Sequence, residues 1–128
     1  MQSCEVGGIY RVWTALVKPP KEKIVLYVGN GFFLWFNTKP RNRPGQLCVQ
    51  PGECPGITRE CYLDCGRVTL FSDAELSAAQ YCGIAGIDFL TMVVEEIEIR
   101  ATVLVGLHRK TVATNLRLKH PTIPVLKK

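Results

Sequence analysis

The stretch that most constrains the fold is residues 21–39, with the sequence KEKIVLYVGNGFFLWFNTK. Two apolar runs, 24–28 and 32–36, flank a Gly29-Asn30-Gly31 break. Asn-Gly between apolar runs predicts a β-hairpin, because the turn residues must adopt positive φ. The runs are rich in β-branched and aromatic residues, which favour strands. Because neither run alternates with polar residues, we expect both faces of the hairpin to be covered or to meet a partner.

The length and composition indicate a single globular domain. The chain has 128 residues, of which 47% are hydrophobic and 21% charged, enough to bury a core without metal or disulfide support. No run of 18 apolar residues is present, so we expect no membrane contact. The N-terminus lacks a basic segment followed by an apolar one, which predicts a cytoplasmic protein.

The six cysteines, at positions 4, 48, 54, 61, 65 and 82, do not follow a metal-binding pattern. Structural zinc sites use short paired spacings such as C-x₂-C, and these are absent here. Free cysteine behaves as a small hydrophobic residue. The sequence therefore predicts reduced, partly buried thiols, and we expect neither a metal nor a cofactor.

Charge is distributed unevenly along the chain. Residues 1–50 carry seven Lys/Arg and two acids, residues 51–100 carry three and nine, and residues 101–128 carry six and none. Such asymmetry predicts a basic surface directed at a polyanion and an acidic layer elsewhere. The alternative is that the terminal basic residues only interact with solvent.

Outside the hairpin, hydrophobic periodicity predicts four further β segments and three helices. The predicted strands are 9–16, 46–50, 61–71 (one strand or a strand pair) and 102–107, where a continued helix is the alternative. Ser72 and Glu75 match a capping box that begins a helix ending near Tyr81, with Gly83 at its C-terminal stop. A second helix is predicted over 86–97, and a third from about Thr111.

Two basic loops flank the hairpin and form its candidate functional surface. The first, residues 17–23, carries Lys18, Lys21 and Lys23, and the second, residues 38–45, carries Lys39, Arg41 and Arg43. Cations beside an exposed aromatic such as Trp35 can hold phosphates while bases stack. In the alternative interpretation the aromatics are core residues and the loops only confer solubility. For Asp64, an ion pair with Arg67 is the simpler interpretation and a catalytic role the other.

The order of elements resembles the PemK/MazF-type toxin family. The resemblance begins with Gly-Ile-Tyr-Arg-Val-Trp at residues 8–13, a basic loop at 18–23 and an apolar strand at 24–28. It continues with CYLDCGRV at residues 61–68, the helix after Ser72 and the helix at 86–97. It covers roughly residues 7–100.

This resemblance implies an α+β fold: a small SH3-like β-barrel with two or three helices packed on it. We expect one domain over residues 1–120 and a frayed tail over 121–128. The family belongs to toxin–antitoxin systems, is usually dimeric and cleaves single-stranded RNA without metal. It implies a homodimer, an antitoxin protein as partner and single-stranded RNA as substrate.

The expected catalytic residues follow from the same resemblance. Lys23 and Arg41 would stabilise charge on the phosphate, while Thr38 or Asp64 would position or deprotonate the attacking hydroxyl. RNA-binding roles fall to Lys18, Lys21, Lys39, Arg43 and Trp35. The chain departs from the family where Lys21-Glu22-Lys23 replaces an Arg-Pro, and no Thr lies in 46–50. Catalysis therefore stays open, and the alternative function is a non-catalytic SH3-like module that binds protein or nucleic acid.

Overall fold

The structure is a computed structural model that describes residues 4–124. Within this range the chain forms six β-strands, three α-helices and one π-helical turn. In chain order these are β1 (Gly8–Thr14), β2 (Lys21–Tyr27), β3 (Phe33–Asn37), β4 (Gln46–Val49), β5 (Cys61–Thr69), α1 (Asp73–Ser77), β6 (Gln80–Ile84), α2 (Ile87–Glu95), the π-helical turn (Glu96–Arg100) and α3 (Gly106–Lys119). No helix in this range is both long and apolar enough to cross a membrane.

All six strands form one antiparallel sheet in the order β4-β5-β3-β2-β1-β6. The predicted α+β class is confirmed. No ladder joins β4 to β6 among residues 4–124, so the sheet is open and a closed SH3-like barrel is not confirmed. The loop after β4 packs across the gap instead: a Cβ placed on Gly83 of β6 would lie 2.8 Å from Pro55.

The predicted hairpin is confirmed and forms the middle of the sheet. Val25 pairs with Trp35 and Tyr27 with Phe33. Gly29, Asn30 and Gly31 all adopt positive φ, as the turn requires. Asn115 of α3 fixes this turn, because its Nδ2 donates to Val28 O at 3.0 Å and to Asn30 Oδ1 at 2.8 Å.

The main core lies between the back of the sheet and the helices. Successive strand residues point to opposite faces, and one set from each strand joins apolar residues of α2 and α3. The buried sheet residues include Ile9, Leu26, Leu34, Phe36 and Leu63, and the helical ones include Phe89, Leu90, Val93, Ile97, Val112 and Leu116. This back layer leaves the other face of the sheet without helices of comparable length.

A smaller core covers part of the front face. It contains Tyr10, Val12, Val25 and Phe33, with Phe71 and Leu76 packed against them from the region of α1. The predicted capping box begins that helix: Glu75 N donates to Ser72 Oγ at 3.1 Å and Ser72 N to Glu75 Oε1 at 2.9 Å. The uncovered remainder of the front face holds the polar groups described below.

Three sequence-based boundaries are wrong. The helix after Ser72 ends at Ser77, and residues 80–84 form β6, where Tyr81 packs on Tyr10 with ring centroids 5.3 Å apart. Pairing with β1 therefore decides the structure here, and Gly83 lies in a strand. Residues 102–105 form a turn and α3 begins at Gly106, so the predicted strand over 102–107 is absent.

The C-terminal stretch expected to fray is partly packed. Ile123 is buried and belongs to the main core. Residues 125–128 lie outside the described residues.

The six cysteines are free, and three of them are buried in or beside the main core. Burial raises the pKa of Cys54 to about 12 and that of Cys61 to about 11, and it raises the pKa of Cys65 strongly. Nearby acidic residues add to each increase. These thiols therefore stay protonated in the folded protein.

Raising the pH from 8 to 10 should lower the free energy of unfolding. In the unfolded chain the thiols ionise near their ordinary pKa of 9.0, whereas the folded state keeps them neutral, so stability is full below this pH and is lost above it. Each thiol contributes up to about 1.4 kcal/mol per pH unit. Urea denaturation should show a smaller fall for Cys54→Ala/Cys61→Ala than for the wild type, and an equal fall would contradict this account.

Candidate nucleic-acid interface

The two strands of the central hairpin, β2 and β3, separate from each other at the end far from the turn. The ladder between β2 and β3 ends at Val25–Trp35. Beyond that pair, β2 continues along β1 as far as Lys21, and β3 continues along β5 as far as Asn37. The sheet therefore splits between Lys23 and Asn37.

Lys23 lies at this split. The sequence had placed it in an exposed loop, and that expectation is wrong. It is a β2 residue and only 8% exposed. Its Nζ donates to Asn37 Oδ1 at 3.0 Å and lies 5.3 Å from the centre of the Trp35 ring. None of the ion pairs among residues 4–124 includes Lys23, so the structure buries a cation without a carboxylate.

Arg41 reaches the same amide oxygen from the loop after β3. Its Nη2 lies 3.4 Å from Asn37 Oδ1. The loop is fixed at this point, because the Arg41 backbone N–H donates to Gln46 Oε1 at 2.8 Å. Two cations therefore converge on one neutral acceptor.

The environment lowers the pKa of Lys23. Removal of the ammonium from water is the largest cause, and repulsion from Lys21 and Arg41 adds to it. Like-charged neighbours and desolvation both favour the neutral amine.

Asp64 is the buried acid of this face, and structural partners surround it. Its Oδ1 accepts from Gln46 Nε2 at 2.8 Å and from Gly66 N at 3.0 Å. Arg43 Nε lies 3.2 Å from Oδ2, close enough for an ion pair but without good hydrogen-bond geometry. The expected pairing of Asp64 with Arg67 is wrong, and Asp64 instead holds Arg43 and the loop after β3.

These groups surround a front cavity of about 310 Å³. It is lined by Leu16, Val17, Trp35, Asn37, Arg41, Arg43, Asp64, Arg67 and Thr69. Three arginines face one carboxylate, so the cavity carries net positive charge. Leu16 and Val17, from the loop before β2, supply its apolar side.

Trp35, the aromatic expected to stack bases, already packs against other side chains of the protein. It stacks on Phe71 at 6.1 Å with a 6° angle between the rings, while the Lys23 ammonium lies over the indole. Phe71 also contacts Phe33, and Lys23 also contacts Asn37. Part of the Trp35 ring is therefore already covered by contacts within the protein, although the residue is half-buried and still lines the front cavity.

A second cavity, of about 340 Å³, opens in the split itself. Its lining includes Lys21, Lys23, Thr38 and Arg59, together with Asn37, which also lines the front cavity. The structure thus brings together Lys23, Arg41, Asp64, Arg43 and Trp35, and places Lys21 and Thr38 beside them. Lys18 and Lys39 are exposed and line neither cavity.

Sequence reasoning missed Asn37, Gln46 and Arg59 and misjudged Arg67. Asn37 carried a usable signal, because a polar residue ends an otherwise apolar run at 32–36. Gln46 and Arg59 have no such signal, since only the pairing of β4, β5 and β3 brings their segments to this face.

Comparison with known protein families, with curated proteins and with solved structures gives no match. The geometry of this face is therefore the basis on which a function can be assigned.

Replacing Lys23 with methionine should not destabilise the protein at pH 7. Methionine has a similar volume and no charge to desolvate, and Asn37 keeps its contact with Arg41. We expect a free energy of unfolding equal to the wild-type value or up to about 1 kcal/mol higher. Chemical denaturation measures it, with the exposed Lys21→Met as the matched control.

The difference between Lys23→Met and the wild type should shrink as the pH rises. A lysine with a lowered folded-state pKa loses its proton earlier in the folded than in the unfolded chain, so the wild type gains relative stability through that pH range. Denaturation at pH 7 and pH 9.5 compares the two. If Lys23→Met lowers the free energy of unfolding by more than 1 kcal/mol at pH 7, the Lys23 ammonium stabilises the fold and this account is wrong.

Proposed function

We propose that this protein binds single-stranded RNA on the front of its sheet and cleaves it as a toxin-like endoribonuclease. One observation carries the proposal: Lys23 and Arg41 converge on Asn37 Oδ1, at 3.0 and 3.4 Å, with Lys23 buried and unpaired with any carboxylate of residues 4–124. A phosphate oxygen is the ligand atom that suits such a position.

The charge of the front cavity supports an anionic ligand. Arg41 and Arg67 form no ion pair among residues 4–124, and only Arg43 is neutralised, by Asp64. Guanidinium groups match the geometry of phosphate oxygens through paired N–H donors. A flexible strand, whose phosphates can enter a cavity of this size, suits the site better than a rigid duplex.

Cleavage would use the substrate's own 2′-hydroxyl. Its oxygen attacks the adjacent phosphorus, the bond from phosphorus to the 5′-oxygen breaks, and the products are a 2′,3′-cyclic phosphate and a 5′-hydroxyl. Arg41 and Lys23 would stabilise the charge that develops on the phosphate, which is the largest usual contribution in such reactions.

The geometry also separates the candidate proton acceptors. Asp64 is engaged by Arg43, Gln46 and Gly66, so it acts as a positioning residue. Lys23 would face the phosphate as an ammonium throughout, so the 2′-hydroxyl proton would pass to solvent and a proton from solvent would complete the 5′-hydroxyl. The Thr38 hydroxyl, next to Asn37 in the chain, would orient the attacking oxygen.

The PemK/MazF resemblance supplies the finer parts of the proposal. It leads us to propose a homodimer, an antitoxin protein as partner, a cytoplasmic location and kinship with SH3-like barrels. The packing of the loop after β4 against β6 supports that kinship, because it covers the opening between the sheet edges.

Single-stranded RNA should be cut in the presence of EDTA, and Arg41→Ala should slow cutting by about 10²–10³-fold. The arginine would contribute most in the transition state, where charge on the phosphate is greatest. End-labelled RNA resolved on gels gives the rate, and mass spectrometry identifies the cyclic phosphate.

Lys39→Ala is the matched control for Arg41→Ala, because both residues are exposed in the same loop and only Arg41 lines the cavity. It should retain the wild-type rate. Equal slowing by both variants would contradict a specific role for Arg41. If the wild type and both variants leave the RNA intact, the endoribonuclease proposal is overturned. RNA binding without cleavage would then remain as the function to test.

RNA affinity should fall as salt rises, and Arg41→Ala should weaken that dependence. For single strands the slope of log K against log salt changes by about 0.7 for each phosphate contact. Fluorescence anisotropy with an uncleavable 2′-O-methyl strand measures it. An RNA affinity that does not change with salt concentration would favour the alternative, a protein-interaction module.

A further inference from the structure

We infer that the cavity in the split between β2 and β3 is a second nucleotide subsite, so that the protein holds at least two successive nucleotides. This inference rests on the proposed function and extends it. The phosphodiester between the two nucleotides would lie at Asn37, with one nucleoside in the front cavity and its neighbour in the split.

The backbone creates this second cavity. Because β2 follows β1 and β3 follows β5 beyond Val25–Trp35, the two strands have no ladder between them there. Across the opening, a hydrogen bond from Lys23 to Asn37 joins the two strands. Residues from both sides of the sheet line the space, including Ile24 and Phe36 from the back and Lys23 and Asn37 from the front.

The lining suits a nucleotide in particular. Lys21, Lys23 and Arg59 provide three cations against the single carboxylate of Glu22. Ile24, Phe36 and Ile57 provide apolar surface, and Thr38 and Thr58 add two hydroxyl-bearing residues to the lining. Such a combination of cations, hydroxyls and apolar wall fits a phosphate, a ribose and a base. A simple inorganic anion would leave the apolar wall unused.

Two features connect this cavity to the first one. Asn37 lines both, and Lys23, which lines the cavity in the split, donates to Asn37. The Lys23 ammonium has three N–H donors and one acceptor among the described residues. An anion arriving at Asn37 would provide further acceptors, so a phosphodiester at this junction improves the solvation of a buried charge.

Ligand length tests the inference directly. Unlabelled 2′-O-methyl mono-, di- and tetranucleotides, which lack the attacking hydroxyl, compete against a fluorescent octamer. The dinucleotide should bind at least tenfold more tightly than the mononucleotide. Arg59→Ala should weaken dinucleotide binding at least threefold and leave mononucleotide binding unchanged, since Arg59 lines only the cavity in the split.

The controls separate this inference from the proposed function. Lys110→Ala, at an exposed position of α3 behind the sheet, should bind every ligand as the wild type does, and circular dichroism should show that Arg59→Ala is folded. If the octamer binds but mono- and dinucleotides bind equally, the second subsite is wrong and the proposed function survives. Loss of mononucleotide and dinucleotide affinity alike in Arg59→Ala would also overturn the second subsite. If no oligonucleotide binds, both proposals are wrong.

Discussion

The structure of the site depends on how the ammonium of Lys23 is accommodated in the interior. A buried charge without a counter-ion is costly, and proteins usually avoid it or pair it. Here the cost is reduced by an amide oxygen from Asn37 and by the indole ring of Trp35. Both partners come from β3, so the lysine side chain spans the two strands at the point where their backbone ladder has ended. Neither partner carries a charge, and the position stays attractive to an anion.

The back layer makes this arrangement possible. Helices α2 and α3 bury one full face of the sheet, and Asn115 fixes the hairpin turn at the opposite end from the split. With one end of the hairpin held and its back face packed, the front and the far end can depart from ideal geometry. Strain and buried polarity concentrate at functional sites when the surrounding structure supports them. The location of the split opposite the clamped turn agrees with that pattern.

Local sequence signals predicted the parts of the fold that local chemistry determines. The Gly29-Asn30-Gly31 turn and the Ser72 capping box each use residues that fit one backbone geometry, and both are confirmed. The predictions for residues 80–84 and 102–107 were wrong for a shared reason. Their apolar patterns are short and ambiguous: pairing with Tyr10 of β1 makes 80–84 a strand, whereas α3 already begins at Gly106. Prediction of the site from the sequence was limited in the same way. The sequence indicated the basic loops, but Arg59 and Gln46 reach the site only through the pairing of β3, β4 and β5.

The position of Trp35 shows how the tertiary structure changes the meaning of a sequence feature. An aromatic beside basic loops suggests a surface for stacking bases. In the folded chain, Phe71 stacks on the Trp35 ring and the Lys23 ammonium lies over it, so part of the ring is used within the protein. The apolar wall of the cavity in the split offers a further surface for a base through Ile24, Phe36 and Ile57. The separation of the strands therefore provides both the buried cation and the apolar surface beside it, and neither would exist if the β2–β3 ladder continued past Val25.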